Sequence, residues 1–364
     1  MNSPLASPPV PVRCRVPARD PAPLCRASGL AAILLDRPDV PAAVTWFQDF
    51  GLLPVHAAAD GALLRGARSR TPCVVIRRGA ARYTGLSLCV DSADDLARLS
   101  AATGAAVQDN DPLRGGRRVV LRDPDGITVE AIHGFRELAP LPLPARSVAN
   151  HADVQPRINR AVRFAGAPSV AGLGHTVLGV RRFEDTARWY QKHFGLIVSD
   201  FQLLRGDDIP VVAFLRCDRG DVPADHHTIA MSSAVDLGHL HTAFEMDDLD
   251  DVARAHEVLK QRKRRHSWGI GRHILGSQVF DYWRDGAGDL FEHYADGDRF
   301  DAAVPTGYHA FGGDSLHQWG PAPSADMVGR IPTPTRGRTL LSRLLDRDDD
   351  LTPARLARLM KASG

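Results

Sequence analysis

His175, His241 and Glu292 are residue types that hold a redox metal, and they fall in stretches that each have an earlier counterpart in the 364-residue chain. "SQVFDYWRDGAGDLFEHYADGD" repeats "RRVVLRDPDGITVEAIHG", which pairs Asp285 with Asp123, Gly288 with Gly126 and Glu292 with Glu130. Upstream, "GLGHTVL" repeats "GLAAILL", so His175 stands against Ala32. "LHTAFEMDDLDDVAR" repeats "TGLSLCVDSADDLAR", so His241 stands against Gly85. The later copy therefore offers His, His and Glu where the earlier one offers Ala, Gly and Glu. Two imidazoles and one carboxylate leave about three positions open on a six-coordinate ion, the donor set of non-haem Fe(II) oxygenases. Glu130, with no histidine partners, reads as structural or vestigial.

The elements that carry these residues follow from the same duplication. In "RRFEDTARWYQKHFGL", Phe183, Ala187, Tyr190 and Phe194 recur at helical spacing, and Gly195 is placed to end the helix. "VPAAVTWFQDFGL", ending at Gly51, is its counterpart. "DDLDDVARAHEVLKQRKRR" opens with acids and closes with bases, the order a helix dipole favours. Short runs rich in branched and aromatic residues, among them "GHTVLGV", "VVAFLRC", "LHTAFEM" and "DLFEHYA", read as strands, with a turn from Asp285 to Gly288. Each half thus reads as strand, helix and strands, repeated once, giving four βαβββ modules in an α+β chain. Strand alternation puts His241 on one face with Ala243 and turns Phe244 to the other.

Domain boundaries are expected from composition. Residues 1–27 are broken by prolines and read as a flexible arm, 28–136 as a first domain without metal, and 137–170 as a Pro- and Ala-rich linker. Residues 171–298 read as the catalytic domain and 299–364 as a C-terminal extension. A net charge of +2, from 45 basic and 43 acidic residues, leaves no electrostatic footprint for nucleic acid or an anionic membrane. Five scattered cysteines without a C-x-x-C spacing argue against a disulfide framework and a thiolate metal site, and point to a reducing, cytoplasmic setting. No apolar run approaches the ~18 residues of a membrane span.

With these residues in view, the chain resembles the vicinal oxygen chelate superfamily, and within it the type I extradiol catechol dioxygenases of the two-domain, 2,3-dihydroxybiphenyl 1,2-dioxygenase kind. The resemblance covers about residues 28–298 and is strongest after Gly172. It implies two tandem glyoxalase/extradiol-dioxygenase domains of paired βαβββ modules. It also implies Fe(II), or alternatively Mn(II), on His175, His241 and Glu292. Beyond the ligands, "DHHTIAM" supplies the family's acid/base histidine as His227. "GRH" ends at His273, Tyr282 follows nine residues on, and Glu292 ten residues further, matching the family's second histidine and its tyrosine. The turn "RDGAG" departs from the family's usual proline after Asp.

The resemblance implies a catecholic substrate, O2 as co-substrate, ring opening to a hydroxymuconic semialdehyde-type product, and a homo-oligomer. His273 and Tyr282 would hydrogen-bond the substrate oxygens and His227 would move a proton. The rivals are a glyoxalase-like metal-dependent lyase or isomerase, which needs a fourth protein ligand, and a non-catalytic ligand-sequestering protein of the same fold. His226, His239, His256, His266 and His293 read as satisfied or surface histidines. Val177, Phe214, Ile229 and Ile274 are candidate pocket walls. In the extension, "GYHAFGGDSLHQWGP" reads either as a lid or as a surface wrap, and Leu356, Leu359 and Met360 form one helical stripe.

Overall fold

The computed structural model describes residues 14–142, 148–162, 166–204, 209–325, 327 and 334–363. Its first half runs β1 (Ala27–Arg37), α1 (Val40–Asp49), β2 (Leu53–Ala57), β3 (Gly61–Arg65), β4 (Val74–Arg78), β5 (Arg82–Val90), α2 (Ala93–Thr103), β6 (Val107–Asp109), β7 (Arg117–Arg122) and β8 (Thr128–His133). The second runs β9 (Gly172–Gly179), α3 (Phe183–Phe194), β10 (Ile197–Leu204), β11 (Ile209–Arg216), β12 (Ala224–Asp225), β13 (Ile229–Ser232), β14 (Gly238–Glu245), α4 (Leu249–Gln261), β15 (Arg265–His273), β16 (Val279–Arg284) and β17 (Leu290–Ala295). After it come β18 (Arg299–Phe300), β19 (Gly307–Phe311), β20 (His317–Trp319), α5 (Pro334–Leu345) and α6 (Pro353–Ser363).

The two halves share one sheet topology. The first sheet has the order β2-β3-β4-β1-β5-β8-β7-β6, and the second repeats it as β10-β11-β13-β9-β14-β17-β16-β15, with β19 and β20 added at its two edges. The registers repeat as well. Ala32 pairs with Ser87 and Ser87 with Glu130; His175 pairs with Ala243 and Ala243 with Glu292. Gly85 lies opposite Leu34 as His241 lies opposite Val177. The residue correspondences read from the repeat are therefore the correspondences of the folded sheets.

Local chemistry explains the helices. Asp39 caps α1 by accepting from the Ala42 amide at 2.9 Å, and Asp248 caps α4 in the same way. In α3, Phe183, Ala187, Tyr190 and Phe194 are all buried, and Gly195 ends the helix with a left-handed φ of 64°.

These helices do not serve separate cores. On α1, Trp46, Phe47 and Phe50 pack on Phe244, Phe291 and Trp283 of the second sheet, and Phe50 stacks on His293 at 3.7 Å between ring centroids. On α3, the buried face meets Leu86, Leu88, Leu96 and Val119 of the first half. Each half's turn aspartate is held by the other half. Tyr190 donates its hydroxyl to Asp123 at 3.0 Å, and Arg37 donates to Asp285 at 2.7 Å and to Asp289 at 2.5 Å.

The flexible arm expected over residues 1–27 gives way, from residue 14 onward, to an ordered strap, while residues 1–13 lie outside the described residues. Gln191 and Lys192 of α3 donate to the Pro17 and Ala22 carbonyls, and Val16 and Cys25 are buried in the core. Prolines do not forbid this, because most of the hold uses the strap's carbonyls as acceptors, and the amide it does use, donating to the Lys192 carbonyl at 2.8 Å, belongs to Leu24. Within the stretch expected as a linker, residues 143–147 and 163–165 lie outside the described residues, and Val170 is fully buried beside Gly51.

Candidate metal centre

Three adjacent strands carry the candidate ligands to one point. β9 supplies His175, β14 His241 and β17 Glu292, and their donor atoms lie within 4.8 Å of one another. His175 Nε2 stands 3.4 Å and His241 Nε2 3.3 Å from Glu292 Oε2. Donors about 2.1 Å from a shared ion and at right angles to each other stand about 3 Å apart, so the spacing suits one cation. Glu292 is fully buried, and neither of its oxygens has a hydrogen-bond partner. A buried carboxylate without a donor is costly unless a positive charge meets it. The donor set therefore fits a divalent metal.

Electrostatics prepares the same set. Burial alone would raise the Glu292 carboxyl, but His175, His241 and His273 outweigh it and hold the group well below the usual carboxylate range. Burial lowers His241 to about 4, against the pull of Glu292, so the imidazole is neutral and its lone pair is free. His227 is also pushed well down, by burial and then by its neighbours His175 and His226. Its ring lies 3.9 Å from that of His175.

His273 and Tyr282 complete the group. The Leu316 carbonyl accepts from His273 Nδ1 at 2.8 Å, so Nε2 is the lone-pair nitrogen and takes the Tyr282 hydroxyl at 2.9 Å. His273 Nε2 also stands 3.6 Å from Glu292 Oε1. Burial, with Glu292 adding to it, raises the Tyr282 hydroxyl well above its ordinary value, so it stays a donor. All six candidate residues thus gather in one place.

In the first half the same register is met by charges of the chain itself. Glu130 occupies the register of Glu292, yet Ser87 Oγ donates to it at 2.5 Å, Arg114 donates at 2.9 Å, and Arg118 donates to its other oxygen. Arg114 is itself fully buried. Burial pushes the Glu130 carboxyl up, but the two guanidiniums and Ser87 prevail and leave it below its ordinary value.

A second cluster, His256, His266 and Asp281, also gathers two imidazoles and a carboxylate. Here each carboxylate oxygen already has donors: His266 at 2.9 Å on one, His256 at 3.0 Å and Trp283 Nε1 at 2.5 Å on the other. Protons fill this cluster and tie α4 to the sheet, so it is no rival for the ion.

Other readings need correction or extension. Ile229 packs into the core beside Leu178 and Leu215 rather than lining the pocket, and Ile274 is exposed, whereas Phe214 sits 5.1 Å from His227. His239 is held by Thr242 at 2.9 Å, and His293 bonds the Phe50 carbonyl through Nε2 at 2.7 Å while its buried Nδ1 has no hydrogen-bond partner. His226 is not a bystander: it bonds His227 directly. In the extension, β19 and β20 seal the edges of the catalytic sheet. On the α6 stripe Leu359 packs on Leu204 and Val212, while Met360 is exposed.

Comparison with known proteins bears on this geometry. Residues 172–292, the span from β9 to Glu292, match the Glyoxalase/Bleomycin resistance protein/Dioxygenase superfamily. Metapyrocatechase 2 of Cupriavidus necator is 32% identical over 224 residues, which span 61% of this chain and 66% of that protein's length. Among solved structures, an extradiol ring-cleaving dioxygenase from B. fuscum superposes with a TM-score of 0.70 at 16% identity, over 86% of this chain and 84% of its own. The Mn(II)-bound glyoxalase from Novosphingobium aromaticivorans gives 0.68 at 22% identity, over 85% and 95%. At these identities the two structures establish the glyoxalase fold across both halves. Among the described residues no helix is long and apolar enough to cross a membrane.

Proposed function

We propose that the protein is an extradiol ring-cleavage dioxygenase of aromatic catabolism, which uses Fe(II) and O2 to open a substituted catechol to a hydroxymuconic semialdehyde-type product. The observation that carries this reading is the buried, unbonded Glu292 carboxylate facing the His175 and His241 imidazoles, with His227, His273 and Tyr282 around it. The 32% identity to a metapyrocatechase supports it. His175, His241 and Glu292 would hold Fe(II), with Mn(II) as the alternative. When bound, the ion supplies open positions for both catechol oxygens and O2 and takes part in their electron exchange.

The chain's own residues do the rest. Tyr282 and His273 form one hydrogen-bonded pair that can receive a catechol hydroxyl, with the His273 Nε2 lone pair as proton acceptor. The hydroxyl of Tyr282 remains protonated and orients the second substrate oxygen. His227, neutral and beside His175, takes up a proton at its free nitrogen and returns it as the ring opens. Phe214 supplies an apolar wall against His227.

A glyoxalase-like lyase or isomerase is the second reading, favoured by the 0.68 likeness to the Mn(II)-bound glyoxalase. It requires a fourth protein donor, and among the described residues the cluster holds three. The deciding experiment is anaerobic loading with Fe(II), followed by air and a panel of catechols. Yellow ring-opened product with matched O2 uptake supports extradiol cleavage. Bound metal without colour from any catechol moves the reading to the lyase or isomerase, and failure to bind metal moves it to a sequestering protein.

A further inference from the structure

Behind His227 a chain of buried polar groups runs away from the ligands. His227 Nδ1 lies 3.0 Å from His226 Nδ1, His226 Nε2 lies 2.6 Å from Asp200 Oδ2, and His309 Nε2 lies 2.8 Å from Asp200 Oδ1. His226 and His227 are almost fully buried, Asp200 nearly so, and His309 reaches solvent. We propose that His226 and Asp200 are positioning residues that hold His227 as its Nδ1–H tautomer, leaving the Nε2 lone pair as the free nitrogen at the metal centre. This rests on the dioxygenase reading for its catalytic meaning, though not for the tautomer itself.

The argument follows the protons. An ionised carboxylate only accepts, so both histidines that touch Asp200 donate to it through Nε2. Burial raises the Asp200 carboxyl, but His226 and His309 overcome it and keep the group ionised. With its one ring proton on Nε2, His226 presents a bare Nδ1. The hydrogen bond between the two histidines then requires the proton on His227 Nδ1, which fixes the lone pair on Nε2. A second-nitrogen hydrogen bond sets which nitrogen reacts in this same way at other histidine sites.

The surroundings hold the chain rigidly. Ser199 donates to the His226 carbonyl at 2.6 Å, and the Phe214 and Phe300 rings flank the imidazole at 5.4 Å each. At Gly276 a side chain would meet His226 Nδ1 at 3.1 Å. At Gly307 it would meet Asp200 Oδ1 at 2.0 Å, so only glycine lets β19 bring His309 onto the carboxylate. The C-terminal extension thus supplies one end of the device. No residue of it needs to touch substrate.

Two variants and one spectrum test the proposal. His226→Phe keeps the ring packing but removes the acceptor, whereas His226→Gln restores an acceptor oxygen. We expect His226→Phe to keep metal content and KM for catechol while kcat falls about tenfold to a hundredfold, within the range of general-base effects, and His226→Gln to recover most of it. Unchanged kcat in His226→Phe, or equal losses in both variants with falling metal content, overturns the proposal. In metal-free protein carrying 15N-histidine, two-bond nitrogen–proton correlations should show His227 protonated on Nδ1, and that assignment should be lost in His226→Phe. An Nε2-protonated His227 in the native protein overturns it too. Because the spectrum needs no turnover, failure to cleave any catechol would refute the dioxygenase reading and leave the tautomer result standing.

Discussion

At the scale of single residues, Glu130 and Glu292 are a controlled comparison provided by the chain itself. Both are buried at one register, and they differ in what meets the negative charge: Arg114 and Arg118 for the first, and for the second no hydrogen-bond donor, the place proposed for the ion. Substitution should separate them. Glu130→Gln leaves Arg114 buried without its anion and is expected to cost about 3–5 kcal/mol of unfolding free energy, the usual effect of breaking a buried pair. It should keep the rise in thermal midpoint that added divalent metal brings. Glu292→Gln should lose that rise and the bound metal together. Thermal unfolding with and without Fe(II), Mn(II) or Zn(II) checks both, and a metal-dependent rise in Glu292→Gln would remove it from the ligand set. Glu292 was legible in the sequence because the repeat supplies its own reference. His226 was not, since its meaning comes from Asp200, 26 residues earlier, and from His309 in the extension.

At the scale of elements, α1 and the Arg37 clasp stand behind the catalytic strand. Phe50 touches Phe244, Phe291 and His293 on the face opposite Glu292. Phe50→Ala is expected to destabilise the protein by about 3–5 kcal/mol, as large core truncations do, and to weaken metal binding by loosening β17. Equilibrium denaturation and metal titration measure the two effects, and unaltered metal affinity would detach β17 from its helical support. The clasp makes a pH prediction. Burial tends to raise Asp289, but His239 and Arg37 bring it down to about 2 from an ordinary 3.8. A depressed carboxyl stabilises the fold above its unfolded value and loses that contribution as pH falls through the folded value. Asp289→Asn should therefore cost about 2 kcal/mol near pH 6, and the cost should fade as pH falls from about 4 towards 2. A pH-independent difference in urea unfolding would contradict this. The helix faces themselves were legible from their spacing. Which sheet each covers was not, because an apolar stripe states only that something must cover it.

For the whole molecule, the duplication predicts two similar units, and the packing shows that they share their cores. Trp46, Phe47 and Phe50 of the first half complete the apolar layer behind the second sheet, while α3 of the second half completes the layer behind the first. Burial of apolar area is the main favourable term in folding, and each half alone would leave these faces in water. The full chain is accordingly expected to unfold in one cooperative transition, with calorimetric and van't Hoff enthalpies in agreement. A fragment of residues 171–364 should bind a hydrophobic dye, lose sharp thermal unfolding and fail to take up metal, although it contains every candidate ligand. Adding residues 14–142 in trans should restore part of the metal binding, since the missing surface is returned without a new bond to the ligands. If the fragment alone folds cooperatively and binds metal as the full chain does, the first half is dispensable to the site, and the arginine-filled copy owes its retention to something other than the shared core.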